Sequence, residues 1–190
     1  MSLMPGGRKA RKLHLHNSIQ NSALNEHPSG GHRNGINMAH DRIHTWLTAE
    51  GVAFREVHHE PTRTSEESAR ARGEELRVGG KALLIKVDDN FRLFVLSADR
   101  KLDSAAIKQH FGAKKTRFAT PQELSELTGL VPGSVPPFGP PILPFPLFVD
   151  PSVFENDRIA FNAGSLTDSI VMPMADYRRL AGAEVFRFAV

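Results

Sequence analysis

The sequence has no cysteine among its 190 residues, and it lacks the motifs of the common hydrolases. Without cysteine there can be no disulfide framework, no thiolate zinc site and no thiol nucleophile. A G-x-S-x-G elbow, an H-E-x-x-H helix, a Walker loop and a G-x-G-x-x-G after a strand are also missing. These absences argue against a hydrolase that works through a covalent intermediate or a metal ion.

The sequence also lacks long apolar runs, and it lacks a strong net charge outside residues 1–38. No apolar stretch approaches the roughly 20 residues that span a bilayer, and the start lacks the apolar core of a signal peptide, so we expect a cytoplasmic protein with no membrane partner. The net charge is +3, but residues 1–38 hold five Lys or Arg and one acid. The remainder holds 19 Lys or Arg and 20 Asp or Glu. We therefore expect no DNA partner, and any binding of RNA must come from a local patch.

Residues 1–38 are rich in Gly, Asn, Ser and His and show no apolar period, which predicts a disordered tail. Their opening Met-Ser-Leu looks like a cloning remnant. An inert extension is the simpler interpretation, and an RNA-binding arm is the alternative. The sequence thus predicts one folded domain over 39–190.

Within that domain, apolar periodicity and capping signals predict helices and strands that mix without strict alternation. The predicted helices cover 39–50, 64–72, 102–111, 120–128 and 174–180, several of them stopped by glycine. The predicted strands cover 52–58, 82–87, 91–97, 115–118, 147–150, 158–161, 169–172 and 185–188. This order predicts a single α/β domain built around a mixed sheet.

Two single residues are candidates for a pocket. Four of the nine histidines lie in 1–38, and the adjacent His58 and His59 point to opposite sides of a strand, so we expect no metal site. His59 is a candidate pocket residue, although an ordinary surface or core histidine is the simpler interpretation. Lys81 stands at the start of a buried strand, where its ammonium must reach water, an anion or a cleft.

Two loops could supply the rest of a site. Residues 128–139 read T-G-L-V-P-G-S-V-P-P-F-G, in which prolines stiffen the backbone while Gly133 and Gly139 let it turn and present N–H groups. A stiff structural crossover explains the same pattern. Residues 162–168 read N-A-G-S-L-T-D, which fits either a polar turn or a second wall of the pocket.

Taken in order, these segments resemble the YbaK/ProX family of tRNA-editing domains over roughly 39–190. The 128–139 loop is similar to the family's glycine- and proline-rich loop. Supporting matches are Lys81 before an apolar strand, the segments 99–103 and 112–115, and Ala163-Gly164.

The resemblance implies a mixed, barrel-like sheet and a trans-editing deacylase that hydrolyses the ester of a mischarged tRNA, with no cofactor. It implies catalytic roles for Lys81, Gly133 and Ser134, and contacts to the aminoacyl-tRNA 3′ end from Gly139, Gly164 and Ser165. His59 and Asp168, the latter from the 162–168 loop, are further candidates for binding the substrate. Prolyl-tRNA synthetase is the implied protein partner.

The edited amino acid stays open, because Ala82 and Asn162 depart from alanine-specific members and Gly133-Ser134 departs from cysteine-specific ones. The resemblance suggests a small amino acid on tRNA for proline. An inactive module that binds tRNA or a synthetase is the alternative function, and an esterase for small molecules is a third.

Overall fold

The computed structural model describes residues 36–190. The predicted disordered tail, 1–38, lies outside this range except for its last three residues. Those three open helix α1 (Ile36–Ala49), so the first helix begins three residues before the predicted domain boundary. Within the described range, no helix is long and apolar enough to cross a membrane.

Helices and strands alternate irregularly along the described chain, as the sequence predicts. After α1 they are β1 (Arg55–His58), α2 (Ser65–Arg72), β2 (Gly80–Val87), β3 (Asn90–Ser97), α3 (Ser104–Phe111), β4 (Thr116–Phe118), α4 (Pro121–Thr128), β5 (Leu147–Val149), β6 (Arg158–Asn162), β7 (Asp168–Pro173), α5 (Met174–Ala181) and β8 (Glu184–Val185). Short 3-10 turns cover Leu76–Val78 and Pro151–Glu155.

Local capping signals explain why α2 and α4 begin where they do. The Thr64 hydroxyl accepts the Glu67 amide N–H while the Glu67 carboxylate accepts the Thr64 amide N–H, which forms a capping box. Thr120 and Glu123 repeat this arrangement at α4. The predicted N-terminal ends of both helices are confirmed.

The strands form two sheets. The smaller sheet has the order β1-β7-β6 and is antiparallel throughout. The larger has the order β4-β2-β3-β5-β8, with antiparallel pairs at β4-β2-β3 and parallel pairs at β3-β5-β8. The mixed α/β architecture is therefore confirmed.

The predicted barrel-like closure is wrong, because the sheets stay open. A barrel needs a continuous ring of paired strands. Here the edge strands β4 and β8 have three and two residues, and the link between the sheets is an isolated bridge from Gly79 to Ala160. The predicted last strand, 185–188, is also too long, since the Phe188 amide N–H donates to the Asp150 carboxylate at 2.7 Å instead of pairing with a strand.

The core lies on both faces of the larger sheet, because alternate side chains of a strand point to opposite faces. On β3, Leu93 and Val95 join the main core, which includes residues of the smaller sheet, α1 and α5. Phe94 and Leu96 join a second cluster that includes residues of α3.

Candidate active site

A cleft of about 230 Å³ opens at the start of β2, between α2 and a turn at Gly133. Within the described chain no aspartate or glutamate lines this cleft. Three cationic side chains line it, those of Arg63, Arg72 and Lys81. Hydroxyl groups supply much of the remaining polar wall, those of Thr62, Thr64, Ser65 and Ser68. A concave surface that carries cations and no acid attracts anionic ligands.

Lys81 enters the cleft from β2, where it lies opposite Leu96 of β3. Its Nζ donates to the Arg100 carbonyl oxygen at 2.8 Å. Partial burial lowers the pKa of Lys81, and the nearby carboxylates of Glu66 and Asp99 offset this only in part. An incompletely solvated ammonium gains from an incoming anion, so Lys81 can hold a phosphate or a developing negative charge.

The turn at Gly133 forms the opposite wall. Gly133 has a φ of 91°, a conformation that favours glycine, and an added Cβ would lie 3.2 Å from Leu166 Cδ2. Gly133 and Val135 both line the cleft, and their amide N–H groups have no acceptor among residues 36–190. Unused backbone donors in a cleft are the elements of an oxyanion site.

The Ser134 side chain does not line the cleft, and its catalytic role stays a prediction. Its hydroxyl donates to the Val131 carbonyl at 2.9 Å and accepts from the Val131 amide N–H at 3.2 Å. Ser134 is 1% exposed. Its hydroxyl therefore closes the turn on which Gly133 lies.

A buried polar network connects Arg72 to this turn. Arg72 is buried, and its Nε donates to Ser169 Oγ at 2.9 Å while its Nη2 donates to Asn162 Oδ1. Asn162 Nδ2 in turn donates to the Gly133 carbonyl at 2.9 Å. Burial lowers the pKa of Arg72 to about 10, an effect that Glu74 opposes, so Arg72 remains protonated at neutral pH. The guanidinium thus fixes the Asn162 amide that holds Gly133.

His59 belongs to the same network but does not line the cleft. Its Nε2 lies 2.7 Å from Ser169 Oγ, and its Nδ1 lies 2.8 Å from the Glu60 carbonyl oxygen. The Glu60 carbonyl can only accept, so Nδ1 donates to it, while Nε2 and the Ser169 hydroxyl share one hydrogen bond. His59 therefore supports the cleft from behind.

The second predicted wall, 162–168, contacts the Gly133 turn through its backbone. The Gly164 amide N–H donates to the Ser134 carbonyl at 3.0 Å. An added Cβ on Gly164 would lie 2.6 Å from Ala39 Cβ of α1, so glycine is required for close packing here. The Ser165 hydroxyl is 2.8 Å from the Thr167 hydroxyl and closes a local turn. Neither Gly164 nor Ser165 lines the cleft.

Asp168 and Gly139 also lie outside the cleft. Burial would raise the pKa of Asp168, but hydrogen bonds from His58, Ser165 and Thr167 outweigh it and lower the pKa to about 2. The Gly139 carbonyl accepts two amide N–H groups of its own loop, and an added Cβ would lie 2.8 Å from the Phe145 carbonyl oxygen. Both residues shape the loops around the site.

The sequence analysis did not identify Arg72. The sequence does contain a pattern that could have identified it. Ala69 and Arg72 are three residues apart on α2, so they share its buried face. An arginine on a buried helical face needs acceptors from elsewhere in the fold. Within the described chain, no group of three or more acidic or histidine side chains could hold a metal ion.

Comparison with known proteins identifies the family. The sequence model of the aminoacyl-tRNA editing domain matches residues 59–180. The multifunctional Ser/Thr-tRNA deacylase ProXp-y of Escherichia coli is 40% identical over 157 residues, which cover 80% of this chain and 93% of that protein.

Two further similarities involve prolyl-tRNA synthetase. The proline–tRNA ligase of Shouchella clausii is 33% identical over 101 residues, 53% of this chain but only 18% of the ligase. A crystal structure of a protein proposed as a trans-editing enzyme for prolyl-tRNA synthetase superposes with a TM-score of 0.69 at 27% identity, covering 80% of this chain and 97% of that one.

Proposed function

The chain belongs to the aminoacyl-tRNA editing domain family, and from that premise we propose that it is a trans-editing deacylase, which hydrolyses the ester between a wrongly attached amino acid and the 3′ end of a tRNA. The observation that carries the proposal is the cleft without acids, which Lys81 lines together with Gly133 and Val135, two residues whose amide donors are unused. Its site of action would be the cytoplasm, where charged tRNA is used.

The chemistry requires no protein nucleophile. An aminoacyl ester is already activated, so holding it beside a water molecule and stabilising the oxyanion can supply most of the acceleration. The amides of Gly133 and Val135 would stabilise the oxyanion, and Lys81 would hold the phosphate of the terminal nucleotide. Arg72 and Asn162 would act as positioning residues, because they reach the reacting atoms through the Gly133 carbonyl.

The polar wall favours an amino acid that carries a hydroxyl. Thr62 and Ser68 are buried and hydrogen-bonded to each other at 2.8 Å, and Thr64 and Ser65 line the same side. A site that can hydrogen-bond a substrate hydroxyl discriminates against analogues without one. The relative named a Ser/Thr-tRNA deacylase has this specificity in its name. Serine and threonine on a non-cognate tRNA, including tRNA for proline, are therefore the proposed substrates.

The direct test is release of amino acid from tRNA for proline charged with Ser, Thr, Ala or Cys. We expect Lys81→Ala to lower kcat/KM at least a hundredfold, about 2.7 kcal/mol of transition-state stabilisation, with an unchanged circular dichroism spectrum. Arg178→Ala is the matched control, since Arg178 is an exposed cation on α5 outside the cleft. Full activity of Lys81→Ala would refute the assignment of this cleft.

The same assay separates the alternatives. An inactive binding module would bind charged and uncharged tRNA alike and release nothing. A small-molecule esterase would hydrolyse simple amino acid esters, and tRNA would not inhibit it. Binding to prolyl-tRNA synthetase, which the family resemblance suggests, is measured separately by titration calorimetry.

A further inference from the structure

A second depression of about 450 Å³ lies at the opposite end of β2 from the cleft. We call it the lysine groove, since its charged lining is four lysines, one arginine and one acid: Lys86, Lys108, Lys114, Lys115, Arg117 and Asp88. The side chains of Lys108, Lys114 and Lys115 are exposed. This concentration of charge contrasts with the near balance of acids and bases over 39–190.

The acid in the groove is already occupied by backbone donors. Asp88 Oδ1 accepts the amide N–H of Lys114 at 3.0 Å and that of Lys115 at 2.9 Å. Arg117 is paired with Glu123 through two hydrogen bonds of 2.6 and 2.7 Å. The four lysines have no carboxylate partner within residues 36–190. Their charge is therefore available to a ligand.

The fold holds these lysines in place. The Asp88 amide N–H donates to the Lys115 carbonyl at 2.9 Å, so that side chain and backbone of Asp88 both fasten the segment before β4. Asp88 has a φ of 49°, which is uncommon for a residue other than glycine. Lys114 and Lys115 are thus presented by a fixed turn.

The groove and the cleft share one strand. β2 supplies Lys81 to the cleft and Lys86 to the groove, five residues away. At about 3.3 Å per residue the two lysines are separated by about 17 Å along the strand, and because they are five residues apart, their side chains leave opposite faces of the sheet. This distance corresponds to about five steps of a stacked nucleic acid helix. A nucleic acid with its 3′ end in the cleft is long enough to reach the groove.

We propose that the lysine groove binds the sugar-phosphate backbone of the tRNA acceptor arm while the aminoacylated 3′ end occupies the cleft. The inference rests on the proposed function, and it adds a second contact with the same substrate. Lysine is a compact point charge that contacts phosphate without reading bases. The groove would therefore raise affinity for any tRNA and leave the choice of amino acid to the cleft.

The test compares two substrates that carry the same seryl ester but differ in length. A triple variant, Lys108→Gln with Lys114→Gln and Lys115→Gln, is assayed on full-length Ser-tRNA and on a minimal seryl ester of adenosine, which is too short to reach the groove. We expect KM for the tRNA to rise about tenfold at low salt. The slope of log KM against log salt should fall by about 2 to 3.

Activity on the minimal ester should stay within about twofold, because chemistry in the cleft does not involve the groove. The matched control removes the same charge elsewhere, by Arg42→Gln with Arg178→Gln and Arg179→Gln. These three arginines line neither the groove nor the cleft, and the control should keep the wild-type KM for tRNA.

Several results would overturn the inference. They are an unchanged KM for tRNA, an equal loss on both substrates, or an equal loss in the arginine control. Lost binding of prolyl-tRNA synthetase with an unchanged KM would assign the groove to a protein partner instead. If the wild type hydrolyses neither substrate, the proposed function fails, and binding of uncharged tRNA to the triple variant and the wild type still decides the role of the groove.

Discussion

Replacing Arg72 with leucine tests whether the buried network that holds the Gly133 turn controls the cleft. The change removes the donors to Ser169 and Asn162. The Ser169 hydroxyl has one proton, which can then satisfy either Asn162 Oδ1 at 3.0 Å or His59 Nε2 at 2.7 Å. One buried acceptor is left without a donor, and the Asn162 amide that holds Gly133 loses its fixed orientation.

The loss of stability should be moderate because two large effects oppose each other. Burial lowers the pKa of Arg72 to about 10, which corresponds to a desolvation cost of roughly 3 kcal/mol. Each of its two charge-assisted hydrogen bonds contributes about 1.5–3 kcal/mol, and a buried acceptor left unpaired costs about 1–3 kcal/mol. We expect the free energy of unfolding to fall by about 2 kcal/mol and Tm by about 4–8 °C.

The effect on catalysis should be larger and should appear in kcat. Loss of one oxyanion donor costs about a hundredfold to a thousandfold, so a displaced Gly133 amide should lower kcat about tenfold to a hundredfold. KM should change less than kcat, because Lys81, the proposed phosphate contact, is intact. The assay is steady-state deacylation of Ser-tRNA well below the lowered Tm, with thermal unfolding followed in parallel.

Two variants of the same helix complete this test. Arg70→Leu removes an exposed arginine from α2 and should leave kcat and Tm near wild type. Arg72→Lys keeps a positive charge but cannot form the two-pronged contact, so it should recover stability better than kcat. A lowered Tm with wild-type kcat in Arg72→Leu would show that Arg72 is structural only and that the positioning argument is wrong.

Three further substitutions test the roles of Gly133, Gly164 and Asp168, the first two by comparing folding stability with kcat and the third by the pH dependence of stability. Gly133→Ala places a Cβ on a backbone with a φ of 91° and should cost about 1–2 kcal/mol of folding together with most of kcat, measured by urea denaturation and deacylation. Gly164→Ala forces a Cβ to within 2.6 Å of Ala39 Cβ, so it should lower Tm more than Gly133→Ala while the surviving folded protein keeps its kcat. The pKa of Asp168 is lowered to about 2, so its ionised form stabilises the fold above about pH 4, its ordinary value, and that stability is lost as pH falls towards 2. The free energy of unfolding should therefore fall by about 1–2 kcal/mol less in Asp168→Asn than in the wild type as pH is lowered from 5 to 2. An equal fall in both proteins would contradict the assignment.

The sequence by itself determined the local structure and the family. Capping boxes and glycine stops act within about four residues, so the start of α2 at Ser65 and its end at Gly73 are readable from the chain. The hairpin of β2 and β3 is equally local, with Val87 opposite Asn90 across a two-residue turn. The 128–139 loop, as an unusual run of glycine and proline, indicated the editing family.

Only the tertiary structure decided how the site is assembled. The acceptors of Arg72 are 90 and 97 residues away, and no local pattern predicts which distant groups will meet a buried guanidinium. The same reason explains why the sheets stay open, since closure would depend on pairing between edge strands that are distant in sequence. Burial and hydrogen bonding between distant segments are properties of the folded chain, because they depend on which surfaces exclude water together.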